Sequence, residues 1–136
     1  MYIDANVLVY AALDTTDRGE NAWKLLKLLK TRTVSISISP LVVDETLWGI
    51  QKVSGKESAL RFGEMLLSMP FTWLDLSHSS VRHALDFYKG NLGPRDAFHA
   101  AVMKDYGINE IISEDAHFDK VPGFKRISIK EAIKGN

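Results

Sequence analysis

Five carboxylates stand out for their chemistry: Asp4, Glu45, Asp96, Asp115 and Asp119. Acids forced together repel and raise each other's pKa. A hard divalent cation removes that repulsion. Magnesium and manganese take oxygen ligands and keep several waters. One or two such ions can activate a water and stabilise both the attacking and the leaving oxygen of a phosphodiester. Asn6, two residues after Asp4, could hold a ligand or a metal-bound water in place.

Taken singly, each acid also has a plain structural use. Asp4 could end a strand in an Asx-turn. Glu45 has Leu41, Val42, Trp48 and Gly49 as helical neighbours, but Asp44 is flanked similarly, so spacing alone does not choose between them. Asp96 stands near a helix start, where the helix dipole favours its charged form. Asp115 and Asp119 fall in a turn-like stretch where aspartate is common. His99, one helical turn from Asp96, reads as a packed or surface histidine rather than a ligand.

The elements that must position these residues can be read from periodicity. Tyr2 to Tyr10 is apolar and β-branched apart from Asp4 and Asn6, and predicts a short strand, a turn and a helix start. Capping-box spacing at Asp17 and Glu20, with Ala22, Leu25, Leu26 and Leu29, predicts a helix from about Gly19 to Thr31. Val34 to Ile38 alternates with period two, as a strand does. Ser39-Pro40 opens a helix to about Val53 that carries Asp44 and Glu45. Ser54 and Glu57 have capping-box spacing for a further helix to about Met69.

Thr72 to Asp75 reads as a strand, and Ser77 or His78 starts the next helix. Gly90 to Gly93 is a loop. Pro94 opens a helix holding Asp96 and closed by Gly107. Glu110 to Ser113 is a strand, Arg126 to Ser128 an edge strand, and Ser128 with Glu131 caps a terminal helix. Strands alternating with helices predict βαβ units: an α/β fold with a mostly parallel sheet and helices on both faces. In such sheets, sites form beyond the carboxyl ends of the strands, where Asp4 and Asp115 fall.

The 136 residues suit one domain, with no repeat, linker or low-complexity segment. The chain has no cysteine, so disulfides and thiolate metal sites are excluded and a cytoplasmic location is compatible. No signal peptide is expected from Met1-Tyr2-Ile3-Asp4, and no membrane association from the apolar stretches. Net charge is zero, with 17 basic and 17 acidic residues, which argues against coating nucleic acid through bulk charge. It is compatible with an enzyme that carries acids at a metal site and bases at the rim. The bases Lys24, Lys27, Lys30 and Arg32, and those of the C-terminal tail, read as a solvated helix face and an ordinary tail.

Together these segments resemble the PIN-domain family, and in particular its compact VapC-type toxins of toxin–antitoxin pairs. The resemblance runs over nearly the whole chain. Ile3-Asp4-Ala5-Asn6-Val7-Leu8 is similar to the family's opening D-x-N/S followed by apolar residues. Ser39-Pro-Leu-Val-Val-Asp-Glu45 is similar to its second acid, on the helix after the second strand. Pro94-Arg-Asp96-Ala-Phe-His-Ala-Ala101 resembles the third, and Ser113-Glu-Asp115-Ala-His-Phe118-Asp119 the last. Each motif is weak alone, and four in order make a specific signal.

The resemblance implies a single PIN-like domain over residues 1–136, a short mostly parallel sheet sandwiched by helices. It implies that Asp4, Glu45, Asp96 and Asp115 are catalytic and bind Mg2+ or Mn2+, directly or through water. Asp119 would be a less constant outer acid, Asn6 and Ser113 would be supporting polar residues, and Asp44 would take no part. It implies hydrolysis of RNA, a small antitoxin partner and a homodimer, for which Trp23, Trp48 and Phe62 are candidate apolar contacts. The glycine-rich Gly90 to Pro94 loop and the short first strand depart modestly from the pattern.

Rival readings fit less well. A haloacid-dehalogenase-type phosphatase needs a proton-transferring acid where Asn6 stands. A response-regulator receiver needs an adjacent acidic pair at the end of its first strand. A PIN domain serving as an RNA-binding or RNA-processing subunit, without catalysis or toxin role, is the non-enzymatic alternative.

Overall fold

The computed structural model describes residues 1–135. Five short parallel strands form one sheet, ordered β3-β2-β1-β4-β5: β1 Tyr2–Ile3, β2 Ser37–Ile38, β3 Thr72–Trp73, β4 Glu110–Ile112 and β5 Lys125–Ile127. The α/β reading therefore holds, and the parallel pairing is complete. Helices α1 Ala5–Leu13, α2 Asp17–Lys30, α3 Pro40–Ser68, α4 His78–Tyr88, α5 Pro94–Asp105 and α6 Ile129–Lys134 flank the sheet. Helix α1 packs on α2 and α3, α2 on α6, and α4 on α5.

The first strand is short and ends before Asp4, as its sequence predicts. Pairing ends at Ile3, Asp4 takes extended φ/ψ as an N-cap, and α1 starts at Ala5. Val7, Leu8 and Ala11 then share a buried helical face, so packing against α2 and α3 overrides local β-propensity. The second strand pairs only Ser37 and Ile38. Exposure alternates over Val34, Ser35 and Ile36, but Ser37 is buried along with Ile36 and Ile38, so the alternation stops where the strand pairs. A parallel sheet covered on both faces has no solvent side.

Helix α2 begins two residues earlier than expected, with Thr16 as N-cap, and the Asp17–Glu20 box gives way to Thr16 and Arg18 bonding to Asp14. Gly19 is required there, because a Cβ would stand 1.8 Å from the Asp14 carbonyl oxygen. The two helices expected over Pro40–Met69 form one run broken at Gly55, whose φ of +86° favours glycine. The break expected at Ser54 therefore falls one residue later, at Gly55, and Glu57 pairs with exposed Arg61 rather than in a capping box. The turn at Asp115 tightens into a 3-10 helix, Ala116–Lys120. Ser128 and Glu131 do form their capping box.

The core centres on Tyr2, Ile3, Ile38, Ile111 and Ile112 from the sheet, with Leu8, Leu25, Leu29, Met103 and Phe118 against them. Lys24, Lys27, Lys30 and Arg32 are exposed, as a solvated helix face should be. Trp23 packs edge-on to Phe62, while Trp48 is 55% exposed. Among the described residues no helix is long and apolar enough to cross a membrane.

Candidate active site

Adjacent parallel strands bring their carboxyl ends together. In the β1–β4 register Ile3 opposes Ile112, and the Asp4 N–H donates to the Ile112 carbonyl at 3.0 Å. The next residues, Asp4 and Ser113, are thereby neighbours although 109 positions apart. The Ser113 hydroxyl donates to Asp4 Oδ2 at 2.6 Å. Ser113 Oγ in turn accepts from Asn6 Nδ2 at 3.1 Å and from the Asp115 N–H at 3.0 Å. Fully buried Ser113 thus ties Asp4, Asn6 and Asp115 into one unit.

The other two acids come from helices. Glu45 projects from α3, which follows β2 on the other side of β1. Its Oε1 meets Arg95 Nε at 3.3 Å and His99 Nε2 at 3.0 Å. Asp96 lies in the first turn of α5. His117 Nδ1 lies 3.6 Å from Asp96 Oδ2 and 3.0 Å from Asp115 Oδ2, and its backbone N–H caps onto Asp115 Oδ1. Asp4, Asn6, Glu45, Asp96 and Asp115, with Tyr10 and Arg95, line one open cleft of about 320 Å³. Larger hollows of about 710 and 830 Å³ lie around Arg18 and around the Gly90–Gly93 loop, the second reaching Asp96 and His117.

Asp119 stands apart from the other four acids. Asp119 does not line that cleft, and Arg126 holds it through Nε at 2.8 Å and Nη2 at 3.0 Å. That bidentate pair keeps the Asp119 carboxyl below its ordinary pKa range. Burial pushes the Asp96 carboxyl up, against the pull of His99 and His117, and Asp115 and Glu45 add to the rise. Burial is likewise the main cause of the raised Asp4 carboxyl, opposed by the Ser113 hydrogen bond, and repulsion from Glu45 is a smaller contribution. Desolvation therefore outweighs acid–acid repulsion as the cause of both rises. Asp44 is exposed and outside the cleft lining.

The donor set suits a hard divalent cation: four carboxylates, two with raised pKa, and no thiolate. Asn6 Oδ1 adds a buried acceptor with no hydrogen-bond partner among the described residues, which a metal-bound water would satisfy. As the side chains stand, no three of the described acidic or imidazole groups converge on one ion position. Arg95 and His117 supply the opposing positive charge instead, His117 in whatever fraction is protonated.

Sequence reasoning passed over Arg95, His117 and Tyr2 as contributors to this neighbourhood. His99 is packed, as expected, at 1% exposure, yet it also reaches Glu45. The available signal was position: Arg95 adjoins Asp96, His99 lies one turn on, and His117 follows Asp115 by two.

A five-stranded parallel sheet flanked by helices, with acids gathered at its carboxyl edge, defines a parallel α/β domain with an acidic cleft. The PIN-domain family model matches residues 1–124, and the chain belongs to that family. Ribonuclease VapC13 of Mycobacterium tuberculosis is 24% identical over 128 residues, covering 93% of this chain and 98% of its own. The fold is shared with VapC20 of M. tuberculosis, a toxin that cleaves the sarcin-ricin loop. There the TM-score is 0.70 at 17% identity, over 87% of this chain and 92% of that one. A toxin–antitoxin complex from Klebsiella pneumoniae superposes with TM-score 0.66 at 18% identity, over 94% and 96%.

Proposed function

We propose that this chain is a metal-dependent endoribonuclease, the toxin of a type II toxin–antitoxin pair, acting as a single domain in the cytoplasm. The observation that carries this reading is the single cleft lined by Asp4, Glu45, Asp96 and Asp115. Distant kinship with VapC ribonucleases over nearly the full length supports it. The resemblance of the fold to a toxin–antitoxin complex supports a small antitoxin as partner. A homodimer belongs to the same reading, with exposed Trp48 among its candidate contacts.

In this reading Asp4, Glu45, Asp96 and Asp115 hold Mg2+ or Mn2+, directly or through water. When bound, the ion lowers the pKa of its water and offsets charge on the leaving oxygen. Ser113 keeps Asp4 and Asp115 in register, and Asn6 presents a buried oxygen to the cleft. Arg95 and His117, both exposed, meet the RNA phosphates at the rim. Asp119 stays an outer acid.

The test is cleavage of a mixed RNA pool with Mn2+, with and without EDTA. Asp4→Asn and Asp96→Asn should each abolish cleavage while circular dichroism stays that of the parent. Cleavage that survives EDTA, or both substitutions, overturns the reading.

A further inference from the structure

One group of polar side chains lies inside the core, behind the cleft. Tyr2, Ser39 and His99 are buried to within 1% of full, and none of them lines the cleft. The Tyr2 hydroxyl is 2.6 Å from Ser39 Oγ and 2.8 Å from His99 Nδ1. On the far side of the ring, His99 Nε2 is 3.0 Å from Glu45 Oε1. The chain Ser39–Tyr2–His99–Glu45 thus joins β1, the start of α3 and the middle of α5 to one acid of the cleft.

Proton counting fixes the direction of its last link. Glu45 is an acceptor when ionised, so Nε2 must carry the hydrogen. With a neutral ring, Nδ1 accepts from Tyr2, and the Tyr2 oxygen accepts from Ser39. With a charged ring, Nδ1 donates to Tyr2, which donates to Ser39. Either way Nε2–H points at Glu45 Oε1. Ser39 occupies the N-cap of α3, yet its side chain makes no capping hydrogen bond and turns to Tyr2 instead. That use of the hydroxyl forgoes a favourable cap.

The nearest approach of Arg95 is also to Oε1, and among the described residues Glu45 Oε2 takes no hydrogen bond. A carboxylate at the end of a glutamate has three rotatable bonds, and a buried donor removes most of that freedom at one oxygen. We infer that His99 is a positioning residue, held by Tyr2 and Ser39, that pins Glu45 Oε1 and so presents Oε2 to a cation in the cleft. This rests on the metal-dependent reading above. Partners of this kind typically change metal affinity by about 10- to 100-fold when removed.

Two amide substitutions, with Tm measured for each, separate positioning from packing. In His99→Gln the amide nitrogen can stand where Nε2 stood and keep the donor to Glu45. In His99→Asn the polar atoms stand where Nδ1 stood, so the Tyr2 link survives and the Glu45 link is lost. Mn2+ binding is measured by electron paramagnetic resonance of the free ion, alongside kcat and KM for RNA. His99→Asn should weaken Mn2+ binding about 10- to 100-fold, His99→Gln should restore most of it, and KM should change little. In a Glu45→Gln background the effect of His99→Asn on Mn2+ should disappear.

Equal losses in the Asn and Gln variants, tracking their Tm, would show a packing role and overturn the inference. So would unchanged Mn2+ binding in His99→Asn when the parent binds the ion. A parent that binds no Mn2+ overturns the metal-dependent reading itself, and this inference with it. If His99→Asn does not fold, Tyr2→Phe decides: it keeps the ring in the core and should weaken Mn2+ binding several-fold, while an unchanged affinity overturns the inference.

Discussion

The Ser113 hydroxyl donates to Asp4 Oδ2 at 2.6 Å, and that contact joins the ends of two adjacent parallel strands. Ser113 also accepts from Asn6 and from the Asp115 backbone, so one oxygen organises three residues of the cleft. Ser113→Ala leaves two half-buried donors without their acceptor and Asp4 without its donor. The expected cost is about 1–3 kcal/mol of stability by urea unfolding. RNA cleavage should fall about 10- to 100-fold in kcat. A variant that loses stability but cleaves at the parent's rate would show that Ser113 serves the fold alone.

The raised Asp4 carboxyl makes a prediction with a sign. Folding here favours the protonated acid, because burial penalises the charged form. Below the ordinary value of 3.8 both folded and unfolded chains hold the proton, and the penalty is absent. As pH rises through the folded-state pKa the parent loses that stability. Asp4→Asn carries no such penalty. Its Tm should match the parent's near pH 3.5 and exceed it near pH 7.5, by a gain of about 1 kcal/mol, as replacements at functional sites commonly give. Melting curves across that range check it, and a gain that is largest at low pH would contradict the burial argument.

Much of this was legible from local signals. Ser77 and Ser128 begin helices because their spacing to Ser80 and Glu131 is local chemistry. The end of α5 follows Gly107, which takes φ +66°. The four acids were placed by motif order, and they do line one cleft. The rest depends on tertiary contact. Val7 and Val9 favour strand by type, but α1 is helical because its buried face packs on α2 and α3. The dipole at Asp96 is a property of its own helix, whereas the burial that raises its carboxyl belongs to the folded chain as a whole. Tyr2 and His99 meet across 97 residues, a separation that periodicity cannot see.

Glu45 and Asp44 are a pair that spacing leaves unresolved, since consecutive helical residues differ by about 100° around the axis. The fold separates them: Glu45 lines the cleft against Arg95 and His99, and Asp44 is exposed. Glu45→Gln should lower cleavage at least about 100-fold, the scale of losing one strong charge contact in a reacting site. Asp44→Asn should leave it within about threefold of the parent, as a surface replacement does. Parallel cleavage assays at matched Mn2+ decide the matter, and the reverse ranking would assign the role to the wrong acid of the pair.

Asp119 offers the sharpest check on which acids act together. Its two oxygens are taken by Arg126, whose Nη1 also reaches the Ser113 carbonyl at 3.4 Å. A carboxylate so held would have to break a bidentate pair before it could reach a cation beside Asp115. Asp119→Asn keeps one acceptor oxygen for Arg126 and removes one charge. Cleavage should stay within about threefold of the parent, and the Mn2+ concentration giving half-maximal rate should not move, because this side chain lies outside the cleft. A loss as deep as that of Asp96→Asn would place Asp119 among the metal-binding acids and require Arg126 to release it during turnover. Arg126→Ala separates the two cases further: if Asp119 is held in reserve, freeing it should tighten Mn2+ binding, and if it is only a structural partner, Mn2+ binding should be unchanged.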